Sequence, residues 1–227
     1  MKHRNYRGRI DYFDQKTGLN GREWFTVTVQ PDGSRTMRCH CEMDDPELLR
    51  DVTLSVNARW EPEDCFIRLV KKSQFVGSGW FRFTDRAIEC ETFMADAGRV
   101  SQTIEVESRV RIFACHPLMA DGWQTSQFDH SRAERVQTVR PWAHPSPLPD
   151  GSTGPFAGVG FKTMEYKGEE DVTVPAGTFR CQRYDLTASD PTKPPLITWV
   201  HGKDHQLVRL RWDVLNADYQ LAEFHAA

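Results

Sequence analysis

No run of about 18 consecutive apolar residues occurs anywhere in the 227-residue chain, which rules out a spanning helix. The opening "MKHRNYRGRIDYF" has no apolar core of the kind a secretory signal needs, so the expected location is cytoplasmic. No basic run is present and the formal charge is -3, so neither nucleic acid nor an anionic membrane is an expected partner. The arginines are scattered along expected strands and read as a solvated face. Six cysteines stand at 39, 41, 65, 90, 115 and 181 without a C-x-x-C pair, which implies reduced, mostly buried thiols. Missing too are a Gly-x-Ser-x-Gly elbow and a phosphate loop; "GVGFKT" has its lysine in the wrong place for one.

What is present is period-two alternation. Phe25, Val27 and Val29 share one face of a strand, "PDGS" turns the chain, and Met37, Cys39, Cys41 and Met43 alternate on the way back. Val52, Leu54, Val56, Ala58 and Trp60 continue the rhythm, then "CFIRLVKK" resumes it. "GWFRF" and "AIECETFM" read as a hairpin across Thr84, Asp85 and Arg86, and a long strand is expected over residues 100 to 112. Short strands with no helix between them mean an all-β antiparallel meander, here one domain over residues 1–227. One or two short helices are expected, at "DDPELLRDV" and "DHSRAERVQTV". The segment 140–158 is rich in proline and glycine and reads as irregular, either a lid over a site or a plain connector.

The sharpest local signal is "DVTVPAGTFRCQRYDL", residues 171 to 186. Pro175 presets its own φ and Gly177 tolerates φ > 0, so the corner fixes the register of two strands. "VPAGTF", preceded by "YKGEED" and followed by "TWV", resembles an uncharacterised bacterial family, a domain of unknown function with a V-P-A-G-T-F signature. That family is in turn similar to the LolA and LolB type of lipoprotein carrier and to lipocalin-like half-barrels. The resemblance covers roughly residues 100 to 225, including "HPLMADGW". It implies a single curved antiparallel sheet, barrel or half-barrel, around an apolar cavity, and it supplies no catalytic residues.

For the chemistry, "CHC" at 39 to 41 is set aside as a metal site, since strand geometry points His40 away from Cys39 and Cys41. His201, Asp204 and His205 sit together in a hairpin loop, and no metal is assigned to them either. The candidate site is "CHPLMADGWQTSQFDH": His116 as general base, Asp121 orienting it, and His201 or Tyr166 supplying the acid. The expected lining is Trp123, His144, Tyr184, Trp199 and Trp212. The expected activity is cofactor-independent lyase or isomerase chemistry on a bulky hydrophobic small molecule. The alternative is a carrier that binds such a ligand without turnover. No cofactor is expected, and a homodimer is left open.

Overall fold

The structure, a computed structural model, describes residues 2–189 and 192–226. Eight strands follow one another from the start: β1 (Arg4–Asp14), β2 (Gly18–Val29), β3 (Arg35–Met43), β4 (Leu48–Val56), β5 (Pro62–Lys71), β6 (Gln74–Phe83), β7 (Ala87–Met94) and β8 (Gly98–Glu105). Each pairs antiparallel with its predecessor. A two-residue strand β9 (Ile112–Phe113) and a short helix α1 (Leu118–Gln124) come next. The chain then returns through β10 (Val136–His144), β11 (Gly158–Val174), β12 (Gly177–Ala188), β13 (Leu196–His201), β14 (Gln206–Trp212) and β15 (Ala217–Ala226).

All fifteen strands belong to one sheet, in the order β8 to β1, then β15 down to β9. The pairing of β1 with β15 brings the two ends of the chain together in mid-sheet, with Tyr12 opposite Tyr219. The outermost strands are β8 and β9, and only the β9–β10 pair is parallel. This is the all-β antiparallel sheet expected from the alternation, curved as the family resemblance implied. Inward and outward residues alternate along β4 as Leu48, Arg50, Val52, Leu54 and Val56 buried, with the residues between them more exposed. The sheet curls about its own apolar face, where Ile10, Val27, Met37, Ile67, Phe81 and Leu210 are each at most 1% exposed.

Two expected helices are strands or turns instead. At "DDPELLRDV" the Asp-Pro pair makes a turn and β4 begins at Leu48, because an inward stripe of period two outweighs one cap signal. At "DHSRAERVQTV" the Asp129 side chain receives the Ser131 N–H at 3.0 Å, closing a turn, and β10 starts at Val136. The helix that does form, α1, starts within "HPLMADGW" and ends one residue past it, with every residue buried, so it carries no amphipathic stripe to read. The strand expected over 100 to 112 ends at Glu105. Beyond it the chain crosses to the opposite edge, held by Arg109 to the Pro62 carbonyl at 3.1 Å and to Glu63 at 3.2 Å.

The proline-rich segment also divides. Residues 140 to 144 complete β10, while 145–157 fold across the open side of the sheet. There Gln102 Oε1 of β8 accepts the Ala157 N–H at 2.9 Å, and Pro155 packs on Gly79 of β6. The segment therefore links the two edges that the sheet leaves apart. The "VPAGTF" corner has a comparable duty at the other end. Val174 faces Gly177 across a Pro175–Ala176 turn, and the Ala176 N–H donates to the Leu221 carbonyl of β15 at 3.1 Å. The stiff corner thus docks the β11–β12 hairpin against mid-sheet.

Candidate functional site

α1 fills part of the sheet's interior, and one buried carboxylate fixes it there. Glu23 is in phase with Phe25, Val27 and Val29, so β2 turns it inward, where it is fully buried. Its oxygens accept the Leu118 N–H at 2.7 Å, the Met119 N–H at 3.0 Å and the Tyr12 hydroxyl at 3.0 Å. The thiols of Cys39 and Cys41 lie at 3.6 and 3.5 Å. Burial raises the Glu23 carboxyl above its ordinary range, and the two α1 amides pull it back. On its far side α1 meets β14, with Gly122 against Leu207.

Beside the plugged core lies a cavity of about 210 Å³. Its polar wall is made by Arg50, His116, Asp121, His144 and Lys162, and its apolar wall includes Trp142, Leu210, Trp212 and Tyr219. The rim is the proline-rich segment from Ser146 to Asp150. Arg50 reaches that rim through a 2.6 Å bond to the Asp150 carbonyl. Of residues 140–158, Ser146 to Asp150 border the cavity, while Pro155 and Ala157 lie against β6 and β8.

The electrostatics follow from burial. Asp121 is pushed up to about 7 by loss of solvent; Lys162 opposes this and Glu23 adds to it. Lys162, 3% exposed, is brought down to about 8 by burial, with Asp121 partly restoring it. Desolvation also depresses His116 well below its ordinary value, helped by Arg50, His144 and Lys162, and it depresses His144. Burial thus favours the protonated carboxyl of Asp121, the free amine of Lys162 and the neutral imidazoles of His116 and His144 over their charged forms. His116 Nε2 and His144 Nδ1 are buried without a hydrogen-bond partner. His116 also sits at φ 78, in the left-handed region, at the point where the chain leaves β9 for α1.

Four residues singled out in the sequence border this cavity: His116, Asp121, His144 and Trp212. His116 and Asp121 face the same space, but the Asp121 carboxylate is held by Gln124 Nε2 at 2.5 Å rather than by the imidazole. The others lie elsewhere. His201 binds the Arg180 carbonyl at 2.8 Å and shares the outer face of β13 with Trp199, which Arg183 and Arg209 cover. Tyr166 and Tyr184 face inward but stack with Phe128 and His130 in a separate aromatic group. Trp123 packs on Trp60, with ring centres 5.3 Å apart. Strand-end position alone does not tell which end, or which face, a side chain joins.

Arg50 fell under the reading of the arginines as a solvated face, Lys162 stood in the rejected "GVGFKT" loop, and Glu23 carried no motif. The signal for each was phase: Arg50 keeps step with Val52 and Leu54, and Lys162 with Met164. Among the described residues no cluster of three His, Cys, Asp or Glu side chains is arranged to hold a metal ion.

No protein-family profile matches the chain, and no curated protein matches it. A DUF1089 family protein from Pseudomonas aeruginosa aligns with 83% of this chain and 89% of its own, at a TM-score of 0.48 and 5% identity. The chain is similar in fold to the beta-barrel-like protein of domain of unknown function DUF1849 from Brucella abortus. That alignment covers 99% of this chain and 97% of the other, with a TM-score of 0.60 and 10% identity. At that identity the likeness is one of fold: a beta-barrel-like sheet.

Proposed function

We propose that the protein binds a compact, largely apolar small molecule bearing one polar end. The observation that carries this reading is the cavity wall itself, where His116 and His144 present ring nitrogens without a partner among the described residues, beside the buried Lys162, to a space otherwise walled by Trp142, Leu210 and Trp212. A volume of about 210 Å³ lies below the ~300–1,000 Å³ usual for ligand sites, which favours a small ring or short chain over a bulky molecule. The beta-barrel-like fold suits such a role, because a curled sheet leaves an interior wide enough for one small ligand. The V-P-A-G-T-F hairpin belongs to the same reading as a family signature. Its support is mechanical, since the corner ties β11, which carries Lys162, to β15.

The test is a tryptophan-fluorescence titration with compact ring and short-chain compounds that carry a carbonyl, hydroxyl or carboxyl group. Saturable quenching at one site is expected, together with a rise in melting temperature. Leu196→Trp, which fills the cavity from its half-buried rim, should abolish both. If no compound saturates, or if Leu196→Trp binds as well as the parent, the cavity is not the site.

Asp121 titrating near neutrality close to an amine favours a second reading, in which the bound molecule is turned over by cofactor-independent acid-base chemistry of the hydration, dehydration or isomerisation type. In that case Asp121→Asn should lose about 10²–10⁴ in rate while still binding. Undiminished turnover in Asp121→Asn would remove this reading and leave the binding protein.

A further inference from the structure

We propose that Lys162 is a covalent carbonyl-binding residue, and that the cavity takes a small aldehyde or ketone as a Schiff base on its Nζ. This rests on the ligand-binding reading above and names the ligand's reactive group. Lys162 is 3% exposed, and β11 turns it inward in phase with the fully buried Met164. Lys162 borders the cavity together with Asp121, whose charge acts on its ammonium through space. Its ammonium stands over the face of Trp142, 5.1 Å from the ring centre. Burying an ammonium is costly, which raises the share of free amine above that of an exposed lysine.

Burial brings Lys162 down to about 8, so at pH 7 roughly a tenth of it is nucleophilic, against well under a thousandth of an ordinary lysine. The remaining groups complete the chemistry. The Nζ lone pair attacks the carbonyl carbon, and a C–N bond forms. The carbonyl π pair moves to oxygen, which takes a proton from the nitrogen to give a carbinolamine. Asp121, close to half-protonated at neutral pH, then gives its proton to the hydroxyl. The C–O bond breaks and water departs. What is left is an iminium on Lys162 and a carboxylate on Asp121 in the same cavity, so two neutral groups become a charge pair. His116 Nε2, buried and without a partner, borders the same space as a polar contact for the departing oxygen. The surrounding Trp142, Leu210 and Trp212 limit bulk water, which would otherwise hydrolyse the imine.

The experiment uses benzaldehyde with sodium cyanoborohydride on the intact protein, and the modified lysine is located by peptide mass. Benzyl alcohol, which cannot form an imine, is titrated in parallel by tryptophan fluorescence. The expected result is a single benzyl adduct at Lys162, formed about a hundredfold faster at pH 7 than on exposed lysines such as Lys16 and Lys203. Lys162→Met should bind benzyl alcohol and gain no fast adduct. Saturable benzyl alcohol binding with labelling no faster at Lys162 than at Lys16 would overturn the covalent step and leave the ligand site standing. Neither binding nor selective labelling would overturn both.

Discussion

Glu23 of β2 accepts the backbone N–H of Leu118 at 2.7 Å across 95 positions of sequence, and its other oxygen accepts that of Met119 at 3.0 Å. One carboxylate thereby serves two of the amides that the first turn of α1 cannot satisfy internally. It also decides where Asp121, two residues further on, enters the cavity.

Glu23→Ala strands both amides in a dry interior. A loss of about 2–5 kcal/mol is expected, read as a lower urea midpoint with an unchanged slope. Glu23→Gln keeps an acceptor and should lose less. A midpoint equal to the parent's in Glu23→Ala would mean that α1 is held by its apolar packing alone.

Asp121 links stability to pH. Its folded value of about 7 lies above the ~3.9 of an unfolded aspartate, so the unfolded chain binds fewer protons between those values. The stability this group contributes is fully present below about pH 4 and is lost as pH rises through about 7. Asp121→Asn, which keeps an oxygen for Gln124, should therefore be more stable than the parent at pH 8 by roughly 1–4 kcal/mol. Between pH 4 and 7 its stability should also fall less with rising pH. Denaturant midpoints at pH 4, 6 and 8 check both; parallel profiles for the two proteins would contradict the raised value.

Gly151 clamps the rim of the cavity. It has φ +62, and a Cβ there would stand 2.6 Å from Arg50 Nη2 and 2.7 Å from the His116 ring. Gly151→Ala combines left-handed strain with that collision, at a cost of about 1–3 kcal/mol. The rim from Pro147 to Asp150 should lift, with acrylamide quenching of Trp142 and Trp212 increased and ligand affinity reduced. Unaltered quenching would show that the rim is not clamped at this point.

Gly177 follows the Pro175–Ala176 corner at φ +135, where a Cβ would stand 3.7 Å from the Phe179 ring. Gly177→Val meets no neighbour closer than ordinary contact, so its cost is backbone strain, about 1–3 kcal/mol. For a chain of this size that is a drop of roughly 2–4 °C per kcal/mol. An unchanged melting temperature would mean that the corner re-forms with another turn.

Alternation made the meander legible from residues such as Val27, Met37, Leu54 and Ile104, because a strand sends neighbours to opposite faces whatever it pairs with. The same rule made Cys39 and Cys41 inward and His40 outward, as they are. It also contained Glu23, Arg50 and Lys162, each in step with apolar neighbours, although a charge in a strand reads as solvated unless its phase is followed through. The corner at Pro175 and Gly177 was local backbone chemistry, and local chemistry survives folding intact.

Near neighbours in the chain sufficed to place most strands, their inward apolar residues and the tight hairpin, but not α1 or the strands at Leu48 and Val136. Only the tertiary structure decided that β1 pairs with β15, that Glu23 meets Leu118, and that Arg50, Asp121 and Lys162 from β4, α1 and β11 share one cavity. Period two states which face a side chain occupies, but it is silent on which end of a fifteen-stranded sheet that face adjoins. His201 and Tyr166 fell outside the cavity for that reason, and Lys162 fell within it. Their neighbours are set by long-range packing, where burying a whole apolar face outweighs the preference of any single polar group.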